Sequence, residues 1–263
     1  MTEHIIVESV THRFRTKRVD VVALDDVSLR VARGEFVALI GPSGCGKSTL
    51  LRMIADILSP TAGTISIGGS PPRVARREHR IGLVFQDATL LPWRSVIDNI
   101  RLPLQIVGGR PVEGALSPEE LLELVGLSDF ADARPSQLSG GMRQRVSIAR
   151  ALALRPDVLL MDEPFGALDE ITRHQLNLEL LRIWSETGTT AILVTHSISE
   201  AVLMADRVVV LSAGPGRVQE TLDIDLERPR SVDQMRTKSF FEAENGVRSA
   251  LFDSDLKRDE AHR

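Results

Sequence analysis

Two glycine-rich segments and one acidic pair are the residues of this chain whose types and spacing can do chemistry. Gly41-Pro42-Ser43-Gly44-Cys45-Gly46-Lys47-Ser48-Thr49 has the form of a phosphate-binding loop. Its glycines let successive backbone N–H groups close on phosphate oxygens. Lys47 is placed to neutralise the β- and γ-phosphates, Ser48 offers a hydroxyl to Mg2+, and the N-terminus of the following helix adds its dipole. By itself the loop says only that a nucleoside triphosphate binds. Asp162 and Glu163 follow the apolar run Val158–Met161. Carboxylates at the end of a buried strand are costly unless they meet a cation. Asp162 suits an Mg2+ shell, and Glu163 can accept a proton from an attacking water. The plainer alternative is an acidic pair capping the next turn. Leu138-Ser139-Gly140-Gly141-Met142 opens a helical pattern. Ser139 with the N–H groups of Gly140 and Gly141 makes a second anion site there, an ordinary serine N-cap being the alternative.

These residues need elements to hold them. Ile5–Val10, Val27–Val31 and Phe36–Ile40 read as strands, the last a continuous apolar run feeding Gly41. Lys47–Leu58 is helical in pattern, and Ser59-Pro60 stops it. Thr64–Ile67 and Ile81–Phe85 are again strand-like. From Ala88 to Gln137, leucine-rich helical pieces such as Pro118–Val125 are broken by Gly108, Gly109 and Pro111. We expect an inserted helical subdomain at about 88–140, and the long interval from Lys47 to Asp162 suits it better than a compact nucleotide kinase. Helix Met142–Leu154, strand Val158–Met161, helix Glu170–Glu186, strand Thr190–Val194 and strand Val208–Leu211 complete a pattern of alternating strands and helices. That pattern implies an α/β fold with a largely parallel sheet. Beyond Leu226 the chain is polar, with one helix expected around Gln234–Leu251 and an unstructured tail. No internal repeat occurs.

Composition narrows the classes. At 263 residues the chain is one large domain or a domain with an insertion. Hydrophobic residues at 43% provide a core, and no apolar run approaches the roughly 18 residues a membrane span needs. The start lacks the basic and apolar regions of a signal peptide, and a single cysteine fits a reducing compartment, so a cytosolic placement is expected. A net charge of -4 argues against a general nucleic-acid binder. Only four of the 32 basic residues are lysines, and one of them, Lys47, falls where a compact ammonium fits a phosphate loop.

The order and spacing of the three segments resemble the ATP-binding-cassette (ABC) ATPases over roughly residues 4–220. The resemblance implies a P-loop fold with a mostly parallel core sheet, an N-terminal antiparallel β lobe and an inserted helical subdomain, with the cassette at 4–225 and a C-terminal helix and tail at 226–263. It further implies that Gln86 senses Mg2+ and water at the hinge to the subdomain. His196 matches the switch histidine, and Asp169 matches the loop that crosses to a second subunit. Phe14 stands where an aromatic stacks on adenine, a core phenylalanine being the alternative. Ser139, Gly140 and Gly141 would read the ATP of a partner copy. Three positions depart from the pattern: Asp56 where glycine is common, Met142 where glutamine is usual, and Ser197 where aspartate is usual.

Leu90-Leu91-Pro92-Trp93-Arg94 with Asp98-Asn99, and the later Gly214-Pro215-Gly216-Arg217, look like the nitrate/sulfonate/taurine branch of importer ATPases. Related branches for pyrimidine-type vitamin precursors share these motifs. The branch implies two copies of this subunit at the cytoplasmic face of the membrane, two integral membrane permeases, an extracytoplasmic solute-binding protein and no nucleic acid. A soluble ABC protein of translation or DNA repair is the rival reading, though such proteins usually carry two cassettes or a long coiled-coil insertion. Intact Lys47, Asp162, Glu163 and His196 argue against a catalytically dead cassette.

Overall fold

In β1 (Glu3–Arg15), Ile5, Val7 and Val10 are buried while Glu8 and Ser9 face solvent, the pattern of a strand covered on one side. The computed structural model describes residues 2–15, 20–109 and 112–261, with side chains described as far as Phe252. Pro111, expected to break the helical insert, lies outside the described residues. After β1 come β2 (Asp20–Ala32), β3 (Phe36–Ile40), α1 (Lys47–Ile54), β4 (Ala62–Ile67), α2 (Pro72–Arg77), β5 (Ile81–Val84), α3 (Val96–Ile106), α4 (Pro118–Leu124) and α5 (Gly140–Leu152). Then follow β6 (Val158–Asp162), α6 (Glu170–Thr187), β7 (Thr190–Val194), α7 (Ile198–Met204), β8 (Arg207–Leu211), β9 (Val218–Asp223) and α8 (Lys238–Ala261). Strands β3, β6 and β7 are buried along their whole length, and all but Asp162 and Thr190 of their residues are apolar.

The chain divides into two units, Met1–Arg76 with Thr190–Arg263, and Arg77–Thr189. In the first, β2, β1 and β4 form an antiparallel sheet. Beside it β3 pairs parallel with both β7 and β8, and β9 joins β8 antiparallel. Helix α8 packs on α7, β8 and β9. Buried Arg230 donates to the carbonyls of Val202, Leu203 and Ala205 at 2.7, 3.1 and 2.6 Å, closing the C-terminal end of α7. Burial, helped by nearby Arg228 and opposed by Asp206, pushes its guanidinium down to about 10, so it is still charged at neutral pH.

In the second unit β5 pairs parallel with β6, and α5 packs on β5 as well as on α3 and α4. Helix α5 thereby links strand β5 to the helices α3 and α4. Helix α1 stops at Ile54, ahead of Ser59-Pro60, because Asp56 turns the chain at φ 57. Four elements had no clear sequence signal: α2 has only six residues, α3 carries Pro103 in its interior, α7 has only seven residues, and β9 is a polar edge strand. Helix α8 runs on through the stretch expected to be an unstructured tail, where Leu256, Lys257, Arg258 and Glu260 are good helix formers.

Candidate active site

The first unit holds the phosphate loop, Phe14 and His196. Strand β3 delivers Gly41, and α1 begins at Lys47 with Gly46 as its N-cap at φ 99. No side chain caps this helix, so its first N–H groups remain directed at the loop. Gly44 also has positive φ, and together the two glycines bend the backbone in the manner of loops that bind anions. The buried Lys47 ammonium donates to the carbonyls of Gly41 and Pro42 at 2.8 and 3.0 Å, across the mouth of the loop. Cys45 is fully buried beneath, its Sγ 3.7 Å from Lys47 Nζ. Pro42, Ser48 and Thr49 are half-buried, and Ser43 and Gly44 are exposed.

Phe14 lies near the end of β1 and is 42% exposed, which removes the core alternative for it. Its ring meets His12 edge-on, centroids 4.5 Å apart. His196 is exposed just after β7. Ser197, where the resembled family usually has aspartate, caps α7 by accepting from the N–H of Glu200.

The second unit holds Gln86, Ser139–Gly141, Asp162, Glu163 and Asp169. Asp162 ends β6 and is buried. Glu163 takes φ 47, a left-handed backbone unfavourable by roughly 1–2 kcal/mol for a residue with a Cβ. Its carboxylate and the Gln86 amide converge on Gly166: a Cβ there would stand 3.2 Å from Glu163 Oε2 and 3.3 Å from Gln86 Nε2. A cleft of about 430 Å³ lies alongside, lined by Gln86, Gly140, Arg143, Gln144 and Leu168 among others.

Ser139 is the N-cap of α5, its Oγ accepting from the N–H of Met142 at 3.2 Å. The side chain is exposed, and its own O–H remains able to donate to an oxyanion, so cap and anion reader are the same geometry. The glycines have a packing role as well. A Cβ on Gly140 would meet Leu168 at 3.0 Å, and one on Gly141 would meet Leu176 at 3.2 Å. Asp169 caps α6 by accepting from the N–H of Thr172, and that bond holds its carboxyl below the usual aspartate range.

Two residues escaped the sequence reading. Gln144 Nε2 donates to Phe85 O at 2.9 Å, and Arg150 donates to Ala88 O and Thr89 O at 2.8 and 3.0 Å. Helix α5 therefore grips the chain on both sides of Gln86. The sequence carried no signal for them, because positions six apart on a helix point in directions roughly 120° apart and share no face. Asn99, part of the branch motif, has a structural role. It is fully buried, accepts from Leu91 N at 2.8 Å and donates to Leu91 O and Ser95 O, fixing the loop that presents Trp93 at 69% exposure. Trp93 is therefore no part of the insert's core.

A phosphate cradle on an α/β unit, with a serine-capped glycine helix and an acidic strand end on the other unit, defines a P-loop ATPase of cassette type. The ABC transporter family profile matches residues 24–166, and the chain belongs to that family of ATP-binding, ATP-hydrolysing proteins. It is 46% identical over 228 residues to the nitrate import ATP-binding protein NrtD of Synechococcus elongatus, covering 85% of this chain and 82% of that one. It is 48% identical over 203 residues to the taurine import ATP-binding protein TauB of Yersinia pestis, covering 77% and 79%. Among solved structures it resembles a dimeric, post-hydrolysis ATP-binding cassette, MJ0796, bound to ADP and Pi. That match has a TM-score of 0.72 at 34% identity and covers 85% of this chain and all of that one.

Proposed function

We propose that this chain is the ATP-hydrolysing subunit of an importer for a small solute of the nitrate, sulfonate or taurine kind. It would work as a pair of copies at the cytoplasmic face of the membrane, beneath integral permease subunits that an extracytoplasmic binding protein loads. The carrying observation is the pairing of a formed phosphate nest at Gly44–Gly46 with an exposed, serine-capped helix N-terminus at Ser139. The import names of the relatives support the transport role. Among the described residues no helix is long and apolar enough to cross a membrane.

Each residue has a role in this reading. Lys47 exchanges its loop carbonyls for the β- and γ-phosphate oxygens, joined by the N–H groups that open α1. Phe14 stacks on adenine. Ser48, Gln86 and Asp162 offer hydroxyl, amide and carboxylate oxygens, a hard donor set that fits Mg2+. Once held, the ion would neutralise phosphate charge as the bond to the leaving group breaks. Glu163 takes the proton of the attacking water, and Gln86 and His196 orient that water and the γ-phosphate. Ser139, Gly140, Gly141 and Asp169 act across the dimer, on ATP held by the other copy.

Glu163→Gln tests the scheme, because it keeps the shape of the site and removes the base. With ATP in the absence of Mg2+ the variant should elute as a dimer on a sizing column, and without ATP as a smaller species. A monomer under both conditions sinks the two-copy site.

A further inference from the structure

The Gly214-Pro215-Gly216-Arg217 segment does more than mark a branch of the family. In the fold it forms the turn between β8 and β9, and that turn lies against the phosphate loop. Gly216 is the point of closest approach. A Cβ on it would overlap the Cys45 carbonyl oxygen outright and stand 3.1 Å from both the Cys45 carbonyl carbon and Leu24 Cδ2. Gly216 is not among the residues with positive φ, so it is the closeness of two backbones, and not an unusual conformation, that demands glycine here.

The turn is tied down from behind. Gly216 N donates to Ala23 O at 2.9 Å, and Asp25 N donates to Gly216 O at 3.0 Å, which makes Gly216 a short extension of the sheet beside β2. Arg217 pairs with Asp25, and Arg217 N donates to Ser212 Oγ at 3.1 Å. The loop touches the same support: a Cβ on Gly46 would stand 2.6 Å from Leu24 Cδ2 and 2.9 Å from Ala23 O. Gly41 sits equally close to the end of β8, where a Cβ would be 2.6 Å from Leu211 O. Thus Gly41, Cys45 and Gly46, which set the path of the loop, are bounded by Leu211, Gly216 and Leu24 in turn.

We propose that Gly216 is a positioning residue for ATP binding, and that the Ser212–Arg217 turn clamps the Cys45–Gly46 backbone of the phosphate nest against β2. The nest binds phosphate through N–H groups whose directions depend on the peptide planes on either side of Gly46. A turn that fixes the Cys45 carbonyl fixes one of those planes. The proposal rests on the nucleotide reading of the loop given above.

The test measures equilibrium binding of ATP and of tripolyphosphate to the wild-type chain, to Gly216→Ala and to the control Gly246→Ala, whose added Cβ meets only Leu222 at 3.5 Å. Gly216→Ala should weaken both ligands by about tenfold or more, as misplacing a positioned group by 1 Å can cost roughly a hundredfold. The loss should fall on phosphate contacts, so the ratio of the two affinities should hold. Gly246→Ala should match wild type. Because Cys45 is the sole cysteine and is buried, its rate of reaction with a small thiol reagent reports on the loop directly, and it should rise in Gly216→Ala at temperatures where the fold persists. If Gly216→Ala does not fold, Arg217→Ala releases the turn without adding atoms and should speed the Cys45 reaction several-fold while weakening ATP. Wild-type affinity together with wild-type Cys45 reactivity in the folded variant overturns the proposal. Failure of the wild-type chain to bind ATP would sink the nucleotide reading instead.

Discussion

Asp56 shows how a departure at one residue finds its own compensation. It lies just past the end of α1 in the left-handed region, at φ 57, where glycine is at ease and a side chain with a Cβ is not. Aspartate tolerates this conformation better than most residues. Its carboxylate also meets Arg76 Nε at 2.7 Å, a half-exposed pair that contributes modestly. Asp56→Ala loses both advantages and should lower the unfolding free energy by about 1 kcal/mol. Asp56→Gly should be close to neutral, because the backbone strain disappears along with the ion pair. Urea denaturation of the two variants decides it, and equal stability for Ala and wild type would refute the strain argument. The sequence pointed to position 56 as unusual. It could not show that the oddity was a turn conformation, since φ is a property of the folded chain.

At the scale of elements, helix ends carry the site. Ser139 heads α5, Asp169 heads α6 and Ser197 heads α7, each side chain accepting from a backbone N–H of the first turn. For Asp169 that bond depresses the carboxyl, which ties the stability of α6 to pH. The cap is at full strength above the unfolded aspartate value of about 3.9, and it is lost as pH falls through the lower folded value. Replacing the titrating cap by a neutral one exposes this. Asp169→Asn still caps, so between pH 5 and pH 3 its melting temperature should fall less than that of the wild type. Parallel curves would mean that Asp169 does not couple α6 to pH. Of these caps only Ser139 was legible beforehand, as a serine directly before a helical pattern. The grip of Gln144 and Arg150 on the chain around Gln86 was not, because it joins residues some sixty positions apart.

At the scale of the molecule, Trp93 is the exposed aromatic best placed to meet a partner. Its loop is held by Asn99 from within, Pro92 restricts the backbone beside it, and Gln86 lies a few residues upstream. We expect Trp93→Ala to leave the stability of the isolated subunit within about 0.5 kcal/mol, as for other exposed positions. Co-purification with the permease and solute uptake should both fall, since truncating a hot-spot tryptophan costs about 2 kcal/mol or more of binding. An unchanged yield of permease would discard the docking role. The local pattern of this chain was enough to determine its strands β3, β6 and β7, its phosphate loop and the order of its motifs, because buried strands and glycine nests depend on runs of neighbouring residues. Tertiary structure alone decided that Glu163 and Gln86 converge on Gly166 and that Trp93 stands outside the core. It also set the Ser212–Arg217 turn against the phosphate loop. Each of those facts depends on how segments remote in sequence pack within one unit, which no local pattern records.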